Sequence, residues 1–491
     1  MTMSQRGRGP LLMTLAVGLV VMVPPPASAA GPARPNIILM LADDQGWDGT
    51  SVEMAAGIPT SKSSIIQTPN LERFAAQSMR FSNAYAPAPV CSPTRIAIQT
   101  GMSPAALHWT KAAPPETGHK LLEPRLIKQI PTAATTIGEL LRQAGYATAH
   151  YGKWHIAGGG PERHGYDESD GDTGNEHAFQ FTDPNPVDIF GMAEKAEAFM
   201  RKSQAAGKPF YIQLSWNALH ASQNALRATL AKYERLTGGS ADDKRTSLAA
   251  ISEDLDTGVG RVLDAIDRLG LAPNTYVVSM SDNGSGGGGG RRGGLSGGKG
   301  SVWEGGIRVP FIVRGPGIPA GSWCHVPVVG QDLLPTFCTW AGVPASTLPA
   351  GVEGGSIAAL LASGGQGQVQ RPREELVFHF PHYQSGQTPH SAIRLGDLKL
   401  LWFHEDDSVR LFDLSRDSGE REDLSAARPA DAARLKARLE RSLAAVHAQM
   451  PTINPQFDSS APAAEPRRKA GGKQQGKPKK PRPAAAGKEP T

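Results

Sequence analysis

Short apolar runs, each closed by a turn or a polar residue and spaced by stretches of helical period, recur along residues 36–280. This alternation constrains the fold more than any other feature of the chain. Asn36-Ile-Ile-Leu-Met-Leu-Ala42 lies between Pro35 and two acids, the pattern of a strand buried on both faces. Residues 135–145 put Ile137, Leu140, Leu141 and Ala144 on one face with Gly145 as the stop, and 146–151 then reads as a strand. A helix over 191–206, a strand over 209–216, a long helix over 245–269 and a strand over 276–280 follow. The long helix carries Leu248, Ile251, Leu255, Val259, Val262, Ile266 and Leu269 at three- and four-residue steps, and Gly270 ends it. The fold class is therefore α/β: a large mixed, mostly parallel sheet sandwiched by helices, with its site beyond the carboxyl ends of the strands.

From about residue 374 the texture changes to closely spaced strands at 375–380, 393–395, 398–403 and 409–414. A helix over 430–448 follows, with Leu435, Leu439, Leu443 and Val446 as its buried stripe. This predicts a smaller C-terminal antiparallel-sheet subdomain covered by a helix. With 491 residues there is room for an α/β catalytic domain over 30–373 and the small subdomain over 374–457. Residues 458–491, rich in Pro, Ala, Gly and Lys, lack a core-forming pattern and are expected to be disordered.

The formal charge of +5 sits at the two ends. Arg6 and Arg8 stand at the start without an acid, and residues 461–491 carry nine basic residues against two acids, so the region between is net acidic. No nucleic acid is expected on the core, whereas the basic tail suits acidic polymers or surfaces. Arg6 and Arg8 precede an apolar run over 11–23 and the small triplet Ala27-Ser28-Ala29, a secretory signal with cleavage after Ala29. That run is short of the ~20 residues a membrane-spanning helix needs. The mature protein is expected in the periplasm or outside the cell. Cys324 and Cys338, in an exported chain, either pair or stay free.

Chemistry concentrates at strand ends. Asp43 and Asp44 follow the first strand, and Ser281-Asp282-Asn283-Gly284 follows the strand at 276–280. Carboxylates converging there repel unless a cation holds them, and carboxylates with an amide suit a hard ion such as calcium. Either pair alone is also ordinary turn chemistry. In the segment Pro89-Val-Cys-Ser-Pro-Thr-Arg-Ile-Ala-Ile-Gln-Thr-Gly101, Pro93 suits a first helical turn and Gly101 closes the helix. Cys91 then sits at a helix N-terminus, which favours an anion or a low-pKa thiol, with Arg95 one turn on; a buried structural cysteine is the plainer alternative.

Cys91-Ser-Pro-Thr-Arg95 resembles the C-x-P-x-R signature of the type I, formylglycine-dependent sulfatases of the alkaline phosphatase superfamily. Residues 36–44 resemble that family's first strand with its metal-binding Asp pair. Gly145-Tyr-Ala-Thr-Ala-His-Tyr-Gly-Lys-Trp-His155 resembles its G-K-W-H block. Ser281-Asp-Asn-Gly284 and Gly297-Gly-Lys-Gly-Ser-Val-Trp-Glu-Gly-Gly-Ile-Arg-Val-Pro310 complete the set, in family order.

The resemblance implies a sulfuric ester hydrolase whose Cys91 is converted to formylglycine by a separate maturation enzyme. It implies one calcium ion bound by Asp43, Asp44, Asp282 and Asn283 together with residue 91. One hydroxyl of the hydrated aldehyde, made more acidic by the metal and Arg95, attacks sulfur while Lys153 and Lys299 hold the sulfate oxygens. His220 protonates the leaving alcohol, and His155 takes a proton from the other hydroxyl so that sulfate leaves. An arylsulfatase of broad range, or a phosphonate or phosphate-ester hydrolase of the same superfamily, is the alternative. The expected substrate is a sulfated small molecule or saccharide. Phe378-His-Phe-Pro-His-Tyr383, His390 and Glu405-Asp-Asp407 either shape a sugar pocket or pack the small sheet.

Overall fold

The computed structural model describes Met1, Thr2 and residues 34–132, 134–220, 223–286 and 293–458. The signal segment past Thr2, its cleavage point and the basic tail past Asp458 lie outside the described residues.

The large sheet contains β1 (Asn36–Ala42), β2 (Met79–Phe81), β3 (Ala147–Gly152), β4 (Glu168–Ser169), β5 (Phe210–Ser215), β6 (Thr275–Ser281), β7 (Phe311–Arg314) and β8 (Ser322–Cys324). Their order is β8-β2-β7-β6-β1-β5-β3-β4. β1 lies parallel to β5 and β6, β3 is parallel to β5 and β4, and only β7 runs antiparallel to its neighbours. Register fixes where the chemistry falls. Leu41 pairs with Ser215, Ala42 with Ser281 and Gly152 with Ser215, so β1, β3, β5 and β6 all end along one edge of the sheet.

Helices cover both faces: α1 (Pro69–Ala76), α2 (Cys91–Thr100), α3 (Ile137–Gln143), α4 (Ile189–Ala205), α5 (Lys244–Arg268) and α6 (Leu333–Trp340). The pleat of β1 shows why the strand reads as one unbroken apolar run. Ile38, Met40 and Ala42 pack towards α1, α4 and α5, whereas Ile37, Leu39 and Leu41 pack towards α2, α3 and α6. Among the described residues, no helix is long and apolar enough to cross a membrane. Cys324 and Cys338 are both free and buried in the core on the α6 side, so the disulfide left open above does not form.

The small sheet is antiparallel, with β9 (Leu376–Phe380), β10 (His390–Leu395), β11 (Leu398–Phe403) and β12 (Val409–Asp413) in sequential order. Ile393, Leu400 and Leu411 face Leu435, Leu439 and Leu443 of α7 (Pro429–Ala445). Phe378, Phe380, Leu401 and Phe412 face the other way, onto Tyr85, Val90, Val302 and Ile307. Val90 is the N-cap of α2, so the small sheet backs the start of the helix that carries Cys91. Leu439→Ala is expected to destabilise the protein by about 2–5 kcal/mol through a cavity under α7, read from a denaturant midpoint.

Candidate active site

The backbone ladder continues just past the strands. The Lys153 N–H donates to Ser215 O at 2.8 Å and the Asp282 N–H to Ala42 O at 3.0 Å, which ties the ends of β3 to β5 and of β6 to β1. Asp44, His155 and Leu219 then turn through left-handed φ of 63°, 59° and 79°. Such backbone is costly for non-glycine residues and collects where side chains must be aimed.

Cys91 is the first residue of α2, and no side chain caps that end. Its Sγ lies 3.3 Å from Asp43 Oδ1, 4.0 Å from Asp44 Oδ1 and 3.3 Å from Lys299 Nζ. Burial, with Asp282 and Asp43, pushes the thiol well above its ordinary pKa against the opposing Lys153 and Lys299. The helix N-terminus therefore does not make a low-pKa thiol here, because desolvation and two carboxylates outweigh it.

Around Cys91 the predicted residues converge. Lys153 Nζ is 2.6 Å from Asp43 Oδ2, and Lys299 Nζ is 2.6 Å from Asp44 Oδ1. Arg95 donates to Asp282 Oδ2 from Nε at 3.0 Å and Nη2 at 2.8 Å, and to Lys153 O from Nη1 at 2.7 Å. Asn283 Nδ2 donates to Asp44 Oδ1 at 2.7 Å. His155 Nδ1 is 3.3 Å from Ser92 Oγ. A ring nitrogen of His220, a carboxylate oxygen of Asp43 and Cys91 Sγ lie within 4.8 Å of one another.

Electrostatics divide the carboxylates. Burial would raise Asp43, but Lys153, Arg95 and the neighbouring cations outweigh it and hold it below the usual carboxylate range. Burial and the charge of Asp43 push Asp282 up to about 6. Burial, reinforced by nearby cations, brings His155 down to about 3 and His220 down to about 4, so both imidazoles are neutral near pH 7.

The donor set fits a hard cation. One oxygen each from Asp43, Asp44 and Asp282 and the Cys91 Sγ all lie within 4.8 Å of one another. Asn283 Oδ1, fully buried, has no hydrogen-bond partner, an arrangement that a cation beside the amide oxygen would relieve.

Two features were not drawn from the sequence. Ser92, inside the C-x-P-x-R segment, is the partner of His155. A cavity of about 750 Å³ opens beside Asp44, walled by Ile65, Ile66, Leu219, Gln223, Lys244 and Leu248. These residues come from three separate segments and form no motif.

Most of the groups considered for a sugar pocket in the small sheet pack inside it instead, whereas Asp406 and Asp407 are exposed. Phe378, Phe380, His382, Tyr383 and His390 are buried, with His382 between Thr110 Oγ1 and Glu123 Oε2 at 2.7 Å each. The Tyr383 hydroxyl donates to Glu405 at 2.6 Å. These groups satisfy one another inside the sheet and its supports.

Gly152, just before Lys153, has φ of 87°, and a Cβ there would run into Ser215 O. Gly152→Ala is expected to cost roughly 2 kcal/mol or more in stability and to lower turnover by displacing Lys153, read by urea melts and steady-state kinetics.

The strand ends gather carboxylates, lysines and a buried helix-start cysteine, and the chain's similarities place this arrangement in the alkaline phosphatase superfamily. The sulfatase family profile matches residues 35–343, and the profile for the C-terminal part of N-sulphoglucosamine sulphohydrolase matches residues 298–449. The chain belongs to the sulfatase family and is a sulfuric ester hydrolase. It is 28% identical to arylsulfatase A of Homo sapiens over 477 residues, spanning 84% of this chain and 85% of that one. It is 31% identical to N-acetylgalactosamine-6-sulfatase of Sus scrofa, over 68% of this chain and 66% of the relative. Among solved structures, Ps i-CgsB superposes with a TM-score of 0.70 at 25% identity, over 84% of this chain and 93% of the other.

Proposed function

We propose that this sulfatase releases sulfate from a sulfated saccharide, using formylglycine made from Cys91 and one calcium ion held by Asp43, Asp44, Asp282, Asn283 and residue 91. The observation that carries the reading is the gathering of three carboxylates around Cys91 with Lys153 and Lys299 beside them. When present, the calcium supplies positive charge and the hydrated formylglycine supplies the oxygen nucleophile for sulfur.

The remaining work falls to side chains of the chain itself. Lys153 and Lys299 supply two ammonium groups for sulfate oxygens, and Arg95, bound to Asp282 and Lys153 O, fixes the start of α2. His155, neutral and beside Ser92, can accept a proton once the negative charge of a bound sulfate offsets the Lys153 and Arg95 charges that lower its basicity. His220, beside Asp43, is drawn towards its protonated form by the negative charge of a bound sulfate and can then donate to the leaving alcohol.

The saccharide class rests on two supports. N-acetylgalactosamine-6-sulfatase is a relative, and a Ps i-CgsB structure holds k-i-k-neocarrahexaose. The cavity beside Asp44 is large enough for a ring beyond the sulfated one, and its mixture of aliphatic and polar walls suits sugar faces and hydroxyls. Cys91 and Arg95 are each 2% exposed, so the maturation enzyme must act on the linear segment before the chain folds. The route we propose is export, with signal cleavage after Ala29. The basic tail would serve for salt-sensitive contact with acidic polymers or surfaces. Truncation after Asp458 is expected to leave turnover of a small sulfated phenol unchanged.

The test is hydrolysis of sulfated mono- and oligosaccharides, a sulfated phenol and a phosphate ester in oxygen-labelled water. Expected are sulfate release from the saccharides, label in the sulfate over several turnovers and none in the alcohol. Label in the alcohol would mean carbon–oxygen cleavage, and faster cleavage of the phosphate ester would overturn the substrate class.

A further inference from the structure

The segment that carries Lys299 is pinned from the small sheet by buried charge. Lys399, on β11, places its Nζ 2.8 Å from Glu304 Oε1 and 2.8 Å from Glu420 Oε1, and all three side chains are completely buried. The Glu304 N–H donates to Glu420 Oε2 at 2.8 Å, the Tyr85 hydroxyl donates to Glu304 Oε2 at 2.8 Å, and Arg308 Nη1 lies 3.3 Å from that same oxygen. Beside this cluster the Val302 N–H donates to His390 Nε2 at 2.9 Å. His390 Nδ1 is 2.6 Å from Thr388 O, which assigns the ring proton to Nδ1 and leaves Nε2 as acceptor.

Between that anchor and the active site the chain has little slack. The Gly305 N–H donates to Ser296 O at 2.7 Å, the Gly300 N–H to Pro89 O at 2.9 Å and the Lys299 N–H to Ser285 O at 3.1 Å. A Cβ at Gly306 would run into Ser301 O, and one at Gly305 would meet Ser296 O at 2.6 Å, so the helical turn at 304–307 is in backbone contact with the flanks of Lys299. Taking ionised groups out of water is unfavourable, and apolar replacements of such clusters are often neutral or stabilising. Folding alone does not explain this cluster. The geometry it enforces does.

We infer that Lys399, with Glu304 and Glu420, is a positioning residue that sets Lys299 against Cys91 and Asp44 from the C-terminal sheet. The inference rests on the reading of Lys299 as a sulfate-binding group. It assigns work to the small sheet, whose Phe378, Phe380, His379 and His390 are buried in packing.

A double-mutant cycle on the mature full chain, with a sulfated phenol as substrate, tests it. Lys399→Met combined with Glu420→Gln keeps the volume and leaves no unpaired charge facing Glu304, which retains Arg308. The melting temperature checks that this variant is folded. Its kcat/KM is expected to fall by about 10- to 100-fold, the scale of a misplaced catalytic group. In a Lys299→Ala background the same change is expected to matter by less than about twofold, because the route it acts through is already gone. Lys399→Arg is expected to recover part of the loss. A folded Lys399→Met/Glu420→Gln variant with unchanged kcat/KM, or one whose loss adds fully to that of Lys299→Ala, would overturn the inference. If Lys299→Ala alone left kcat/KM unchanged, the role of Lys299 itself would fail, and this inference with it.

Discussion

Cys91→Ala is expected to lower kcat for a sulfated phenol by on the order of 10⁵-fold, the scale on which loss of a nucleophile acts, while the protein stays folded. The fold tolerates the change because Cys91 is a small side chain at the first position of α2, and the helix is held by Ile96 and Ile98 in the core and by Gly101 at its end. Activity does not tolerate it, because among the described residues no other thiol is placed among the Asp43, Asp44 and Asp282 carboxylates. The unmodified thiol is a poor substitute, since burial and the adjoining carboxylates hold it protonated. Peptide mass analysis of active wild-type enzyme is therefore expected to find an aldehyde at position 91. Full activity in a preparation whose position 91 is entirely thiol would refute formylglycine as the nucleophile, and appreciable turnover by Cys91→Ala would place the nucleophile elsewhere.

What could be read in advance follows from how local each signal is. β1 carries its whole pattern in seven residues, and both cores it feeds are visible in its unbroken apolar run. α5 carries its stripe over twenty-five residues, and its predicted ends fall within a residue of those observed. α2 was legible from Pro93 and Gly101, and it begins at Cys91. The short strands β2, β7 and β8 on one side of the sheet, of three or four residues each, are too short to carry a period, and the sequence does not locate them.

The strand-end carboxylates were legible because register, which follows from parallel pairing, carries them to one edge. The function of the 378–390 segment was not. Whether His382 meets a sugar or Glu123 depends on a residue more than 250 positions away. The Glu304–Lys399–Glu420 cluster escaped for the same reason: an acid inside a glycine-rich block and a lysine on a strand look solvated until the fold brings them together.

Exhaustive chelation is expected both to abolish turnover and to lower the melting temperature, with calcium restoring both. The carboxylates of Asp43, Asp44 and Asp282 meet within a few ångströms, and Asp43 and Asp282 are fully buried. Lys153, Lys299 and Arg95 offset part of their repulsion, yet the rise of Asp282 to about 6 shows that the balance at that carboxylate stays unfavourable to its charged form. An ion bound only to the native state stabilises it by mass action, by about 3–4 kcal/mol at concentrations 100 to 1,000 times the dissociation constant. In a chain of this length that is a shift of several degrees. An oxygen set from two strand-end loops, completed by residue 91 as formylglycine, with a left-handed backbone at Asp44, tolerates the irregular geometry of calcium better than the strict octahedron of magnesium, so magnesium is expected to restore less of either property. Asp282→Asn should raise the calcium concentration needed for half recovery, because it removes one charge from the ligand set and takes from Arg95 its charged hydrogen-bond acceptor. Unchanged activity and an unchanged melting temperature after chelation would rule out a cation held by these residues. Loss of activity with no thermal shift would place the required metal outside this buried set.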